Sequence, residues 1–181
     1  ASDVYKRQSW DLEVPLYFAP PNFSETPSLK RSNAFQIVGD ECKAVRSGVG
    51  LLDITGFSRF EVSGPNAEAW LNKVMASKLP KPGRASLAPM LSEEGKLKGD
   101  LTIFNWGDGT WWIMGSYYLR AWHMRWFNDH LTDGVSILDL GENWAGFSLS
   151  GPKSKEVISR ITDFPVDELK LMGCANMDIG L

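Results

Sequence analysis

The chain has 181 residues, 43% of them hydrophobic and 23% charged, with a formal net charge of -3. These proportions exclude global disorder and describe a soluble globular domain, or a compact piece of a larger one. With no basic run and no apolar stretch of bilayer-spanning length, neither nucleic acid nor a membrane is expected as a partner.

Residues 1–8 show no useful periodicity and read as a non-native or disordered leader. Residues 9–48 form the next segment. Its first part carries Pro15, Pro20, Pro21 and Pro27 between Trp10, Tyr17, Phe18 and Phe23. The prolines forbid a long helix, so an extended, aromatic-rich arm is expected. Val38, Cys42 and Val45 then fall at helical spacing and predict a short helix over 36–47. Residues 49–181 are the body. Its first run, Val49 to Ile54, is apolar after a glycine turn and suits a buried strand. Phe57 to Val62 alternates, with Phe60 and Val62 on one face and Arg59 and Glu61 on the other. Pro65 suits a helix's first turn. Ala67, Trp70, Leu71, Val74 and Met75 then follow at i, i+3, i+4, i+7 and i+8, an amphipathic helix.

Strands are predicted at 85–91, 100–104 and 110–114, the last two joined by the glycine-bearing turn 105–109. Leu119, Trp122, Trp126 and Phe127 mark a helix over about 118–131, and strands follow at 135–138 and 145–149. A last helix opens after Ser150-Gly151-Pro152. That tripeptide repeats Ser63-Gly64-Pro65, each time between a strand and a helix. The irregular alternation and frequent hairpins predict an α+β fold with a largely antiparallel sheet, not a doubly wound parallel one.

The chemistry signatures are sparse. There is no phosphate loop, no Cys-x-x-Cys pair and no His-Glu-x-x-His, and no metal is expected. Gly48-Val49-Gly50 precedes a strand, where a dinucleotide fingerprint would follow one. His123 and His130 stand two helical turns apart, roughly 10 Å, too far to share a metal; His130 is expected to interact with the helix dipole. Cys42 and Cys174 read as two thiols of a cytoplasmic enzyme. Most of the eight tryptophans are expected in the core. Asp100 opens an apolar strand after Gly99, which suits either a turn cap or a working carboxylate at the lip of a sheet.

Several stretches together resemble one family. Val49-Gly50-Leu51-Leu52-Asp53-Ile54-Thr55, the two Ser-Gly-Pro junctions, and Met90, Gly95 and Asp100-Leu101-Thr102 are similar, in order and spacing, to the folate-binding domain of glycine-cleavage T-proteins (aminomethyltransferases). Pro15 to Pro20, Arg31 to Phe35, Glu41 to Arg46, Met114-Gly115-Ser116 and His123 to Phe127 are most similar to the C-terminal region of dimethylglycine and sarcosine dehydrogenases. The resemblance implies tetrahydrofolate as cofactor, a small methylated amine as substrate, and transfer of a one-carbon unit. FAD would belong only to a fused flavin domain upstream. It further implies Asp100 as the catalytic carboxylate beside the folate nitrogens, able to stabilise developing charge or to position a nitrogen for attack. Phe57, Leu87, Thr102 and Gly115 are the expected cofactor-binding positions. Many T-proteins carry an aromatic residue at the position of Leu87 and an asparagine at that of Gly115. The family's Tyr/Phe-Thr-Gly-Glu segment, which holds the pterin ring, is expected shortly beyond Leu181, so the chain reads as a truncated, inactive fragment. A folate-binding module without catalysis, or a tetrahydrofolate-dependent demethylase, are the alternatives.

Overall fold

The computed structural model describes residues 3–9, 12–141 and 143–180, with the side chains of 3–9 and 12–14 left aside. The fold is α+β with antiparallel sheets, and the chain divides into two units. One comprises Ala1–Leu51 with Leu149–Glu156; the other comprises Leu52–Ser148 with Val157–Leu181.

The first unit opens with strands β1 (Asp3–Ser9) and β2 (Leu12–Ala19), paired antiparallel. From Asp3 onward, the segment 1–8 that reads as a non-native or disordered leader lies in one strand of this hairpin. Its ladder shifts register between Tyr5 and Lys6, so that Tyr5 faces Tyr17 and Lys6 faces Pro15. Proline tolerates such a place because a bulge leaves a ladder position without need of its missing N–H. Helix α1 (Ala34–Ser47) follows, two residues longer at its start than the spacing predicts. Tyr17, Ala19 and Ala34 form a small core with Phe23 and Ile37 packed against it. Tyr17 donates its hydroxyl to Glu25 at 2.7 Å, and Ser32 donates to the same carboxylate at 2.8 Å. These two bonds lower the Glu25 pKa, that from Tyr17 most.

Strand β3 (Gly50–Asp53) pairs with β9 (Phe147–Ser150) as a two-stranded ribbon, and the division between the units runs through both strands. The expectation of a buried strand here is corrected: Leu51 and Leu52 are 67% and 64% exposed. A strand in a two-stranded ribbon has no sheet face to bury it, whatever its composition.

The second unit is built on a five-stranded antiparallel sheet in the order β5-β6-β7-β4-β8. Its strands are β4 (Ser58–Ser63), β5 (Arg84–Leu91), β6 (Leu97–Asn105), β7 (Trp111–Gly115) and β8 (Ser136–Asp139). Alternation gives the sheet two unlike faces. Phe60, Val62, Ala88, Met90, Leu101, Ile103, Trp111 and Ile113 point to one and are buried. Helices α2 (Ala67–Val74) and α3 (Arg120–Asp129) supply Ala67, Trp70, Leu71, Val74 and Phe127 to the same core. Phe127 is central, with its ring edge-on to Phe60 at 5.2 Å and to Trp70 at 5.9 Å. Trp70 donates Nε1 to the His130 carbonyl at 2.7 Å, which ties α2 to the end of α3. His130 in turn places Nδ1 2.8 Å from the Trp126 carbonyl, as a histidine at a helix C-terminus is expected to do. Residues 172–174 lie along the start of β5, where Ala85 donates to Met172 and Cys174 donates to Gly83. The last helix, α4 (Ser154–Ile158), is a short one.

The repeated Ser-Gly-Pro has a conformational cause. Gly64 and Gly151 stand at φ of 111° and 117°, and a Cβ on either would collide with a carbonyl, that of Gly134 and that of Gly48 respectively. Each junction therefore needs glycine twice over, for the backbone angle and for the close approach.

Candidate functional site

The face of the five-stranded sheet away from the core is the candidate site. Register sets its rows. Leu87 faces Thr102, Thr102 faces Met114, and Met114 faces Arg59, a straight line across four strands. At about 4.8 Å per strand this row is roughly 14 Å long. Asp100 pairs with Pro89 and stands two residues before Thr102 on the same face. Phe57 stands one residue before the Ser58–Gly115 pair, so it and Asp100 are carried at the same end of the sheet, where β7 stops. Leu87 is 67% and Phe57 45% exposed, and Asp100 is exposed as well.

Of the five residues expected from the sequence, Leu87, Asp100 and Thr102 thus share one face, and Phe57 stands at the same end of the sheet. Gly115 does not. It is buried at the end of β7, and a Cβ there would meet Leu101 Cδ2 at 2.6 Å and the His123 ring at 3.4 Å. A Cβ at this position would point into the core, so glycine leaves room there for Leu101 and His123.

Two devices shape the ground around Asp100. The first is a bulge. Met90 faces Gly99 but Leu91 faces Leu97, which leaves Lys98 as the extra residue. The bulge turns Lys98 toward α3, where its Nζ lies 5.6 Å from the rings of both Trp122 and Trp126. Without it, strand alternation would put Lys98 on the same face as Asp100. The second is a packed histidine. His123 is 1% exposed, and neither ring nitrogen has a hydrogen-bond partner. Its Nε2 would lie 3.0 Å from a Cβ on Gly99, so the glycine beside Asp100 makes room for the imidazole behind it. Burial lowers the His123 pKa below 6.5; the nearby Lys98 carbonyl opposes the shift but makes no hydrogen bond to the ring.

The sequence reading missed Arg59 and Met114. Alternation along β4 and β7 puts both on this face, but their parts depend on which strands lie side by side. The tryptophans divide. Trp70 and Trp111 are buried as expected, whereas Trp144 is 47% exposed and stands edge-on to Trp112 at 4.8 Å. Cys42 and Cys174 are free thiols. Among the described residues no group of three histidine, cysteine or acidic side chains is arranged to hold a metal. No helix there is long and apolar enough to cross a membrane.

The chain belongs to the GCVT N-terminal domain family, which it matches over residues 4–181. It is 25% identical over 174 residues to the mitochondrial dimethylglycine dehydrogenase of Mus musculus, covering 92% of this chain and 20% of that protein. It is 29% identical over 138 residues to the aminomethyltransferase of Geobacillus kaustophilus, covering 75% of this chain and 38% of that one. Among solved structures, glycine cleavage system aminomethyltransferase T from Bartonella henselae superposes with a TM-score of 0.75 at 17% identity, over 97% of this chain and 44% of that one. The heterotetrameric sarcosine oxidase of Corynebacterium sp. U-96 superposes at 0.56 and 17% identity, over 84% of this chain and 77% of that one. These two likenesses show the fold. The chain spans only a fifth to two-fifths of the curated relatives it matches.

Proposed function

We propose that the protein carrying this chain transfers a one-carbon unit from a small methylated amine to tetrahydrofolate, with Asp100 as the catalytic carboxylate. The observation that carries this reading is the shared face: an exposed carboxylate beside exposed Leu87, with Thr102 between them and Phe57 at the same end of the sheet. Family membership and the names of the relatives support it.

The residues present fit a flat, nitrogen-rich ring. Leu87 and Phe57 offer apolar surface, Thr102 a hydroxyl and Asp100 a negative charge. Bound tetrahydrofolate supplies the nitrogens that accept the one-carbon unit. The chain's own contribution is electrostatic and positional. A carboxylate held on a strand keeps its place while positive charge develops near it, so no reorganisation is needed during reaction. Because the core behind β6 is closed by His123 and Met90 against Gly99, the strand has little room to retreat.

Calorimetric titration of the full-length protein with tetrahydrofolate tests the binding half. Leu87→Asp is expected to weaken binding at least about tenfold, since a second carboxylate replaces apolar contact surface and repels Asp100. Unchanged affinity removes Leu87 from the site. A second reading, a folate-binding module without catalysis, is motivated by Leu87 itself, an aliphatic residue where many T-proteins are aromatic. Binding without turnover favours that second reading.

A further inference from the structure

Arg59 is a buried cation whose use the reaction leaves unexplained. Its residue is 6% exposed, although it lies on the outward face of β4. Among the described residues its guanidinium has no carboxylate at ion-pair distance. It donates instead to three main-chain carbonyls: Nη1 to Thr55 at 3.0 Å and to Phe57 at 2.9 Å, and Nη2 to Ile54 at 3.2 Å. All three belong to the turn that enters β4, closed by the Phe57 N–H donating to the Ile54 carbonyl at 3.1 Å.

The surroundings are built to keep the guanidinium there. A Cβ on Gly146 would collide with Nη2 where the guanidinium now stands. Gly146 donates its N–H to Thr55 Oγ1 at 3.0 Å, and its carbonyl accepts from Ile54 N–H at 2.8 Å. Thr55 is therefore held from two sides, by Arg59 at its carbonyl and by Gly146 at its hydroxyl. A planar fork reaches three carbonyls at once; an ammonium on a flexible stem has no such fixed geometry.

We infer that Arg59 is a positioning residue for the ligand face, holding the Ile54–Phe57 turn and so fixing where the Phe57 ring stands at the Asp100 end of the sheet. The inference rests on the folate reading above, because Phe57 is taken as a ligand contact. It also gives a reason for a buried arginine whose nearby acid, Asp53, stands beyond ion-pair distance: its ligands are the turn's carbonyls.

The test is a double-mutant cycle in the full-length protein, read by tetrahydrofolate affinity and by amide hydrogen exchange. Arg59→Lys is expected to speed exchange of the Phe57 amide at least about tenfold while Ile103 and Ile113 keep their rates. The same change is expected to weaken tetrahydrofolate binding at least about fivefold in the parent but less than about twofold when Phe57 is already alanine. Equal losses in both backgrounds, or an unchanged Phe57 amide, overturn the inference. If the unsubstituted protein does not bind tetrahydrofolate, the folate reading falls and the exchange result alone decides the role of Arg59. Should Arg59→Lys fail to fold, nitrogen-detected magnetic resonance of the unsubstituted protein decides instead. Slow rotation of the Arg59 guanidinium supports the assignment, and free rotation overturns it.

Discussion

Asp100 shows what one residue's place in a sheet adds to its identity. The sequence offers a carboxylate after a glycine, equally suited to capping a turn. Register puts it on the outward face two residues from Thr102 and diagonal to Leu87, which gives it neighbours for a ligand. His123 was legible only as one of two histidines too far apart for a metal. Its burial depends on α3 crossing behind Gly99 and Gly115, which helical periodicity does not reveal. That burial has a pH consequence. The folded chain holds the His123 pKa below the unfolded value of 6.5, so between those values the unfolded chain binds more protons. The stabilisation is complete above the unfolded pKa and is lost as pH falls through it toward the folded one. Lowering the pH from about 7.5 to about 5.5 is expected to lower stability through this residue. His123→Leu removes that component from the pH dependence of the urea midpoint. A slope unaltered by the substitution means that other groups carry it.

Elements were legible where pattern and packing agree. The alternation of Phe60 and Val62 and the spacing of Ala67, Trp70, Leu71 and Val74 predict β4 and α2, and both elements bury those residues. Where an element's neighbours decide, pattern alone misleads. Val49 to Ile54 reads as a core strand, yet β3 has only β9 beside it and leaves Leu51 and Leu52 exposed. Residues 1–8 lack periodicity, yet Asp3–Ser9 forms a strand, because a hairpin ladder is held by main-chain bonds that composition does not record. The repeated Ser-Gly-Pro is the clearest element-scale signal. Both glycines carry positive φ and both face a carbonyl, so Gly64→Ala is expected to cost about 2 kcal/mol or more in urea unfolding. Ser63→Ala beside it, at a half-buried position without a positive φ, is expected to change stability by less than about 1 kcal/mol. Equal effects would show that the glycine geometry is not what the junction needs.

At the scale of the molecule, fold class followed from the order of strands, helices and glycine turns, and the α+β antiparallel architecture agrees with it. The division into two units was only partly legible. The sequence reads as an arm over 9–48 and a body over 49–181, and it gives no sign that Leu149–Glu156 groups with Ala1–Leu51, because a return of the chain leaves no local mark. The candidate face draws Leu87, Asp100 and Thr102 from two neighbouring strands, with Phe57 at the same end of the sheet, and it is the antiparallel register that assembles it. Its relatives are longer proteins, of which it spans a fifth to two-fifths. The central claim is that this face handles the one-carbon unit through Asp100. It is tested by measuring folate-dependent product formation in the full-length protein with and without Asp100→Ala, beside tetrahydrofolate affinity in both. The account predicts a loss of about a hundredfold or more in rate, with affinity changed by less than about threefold, since the carboxylate acts on charge that develops during reaction. An unchanged rate would contradict it.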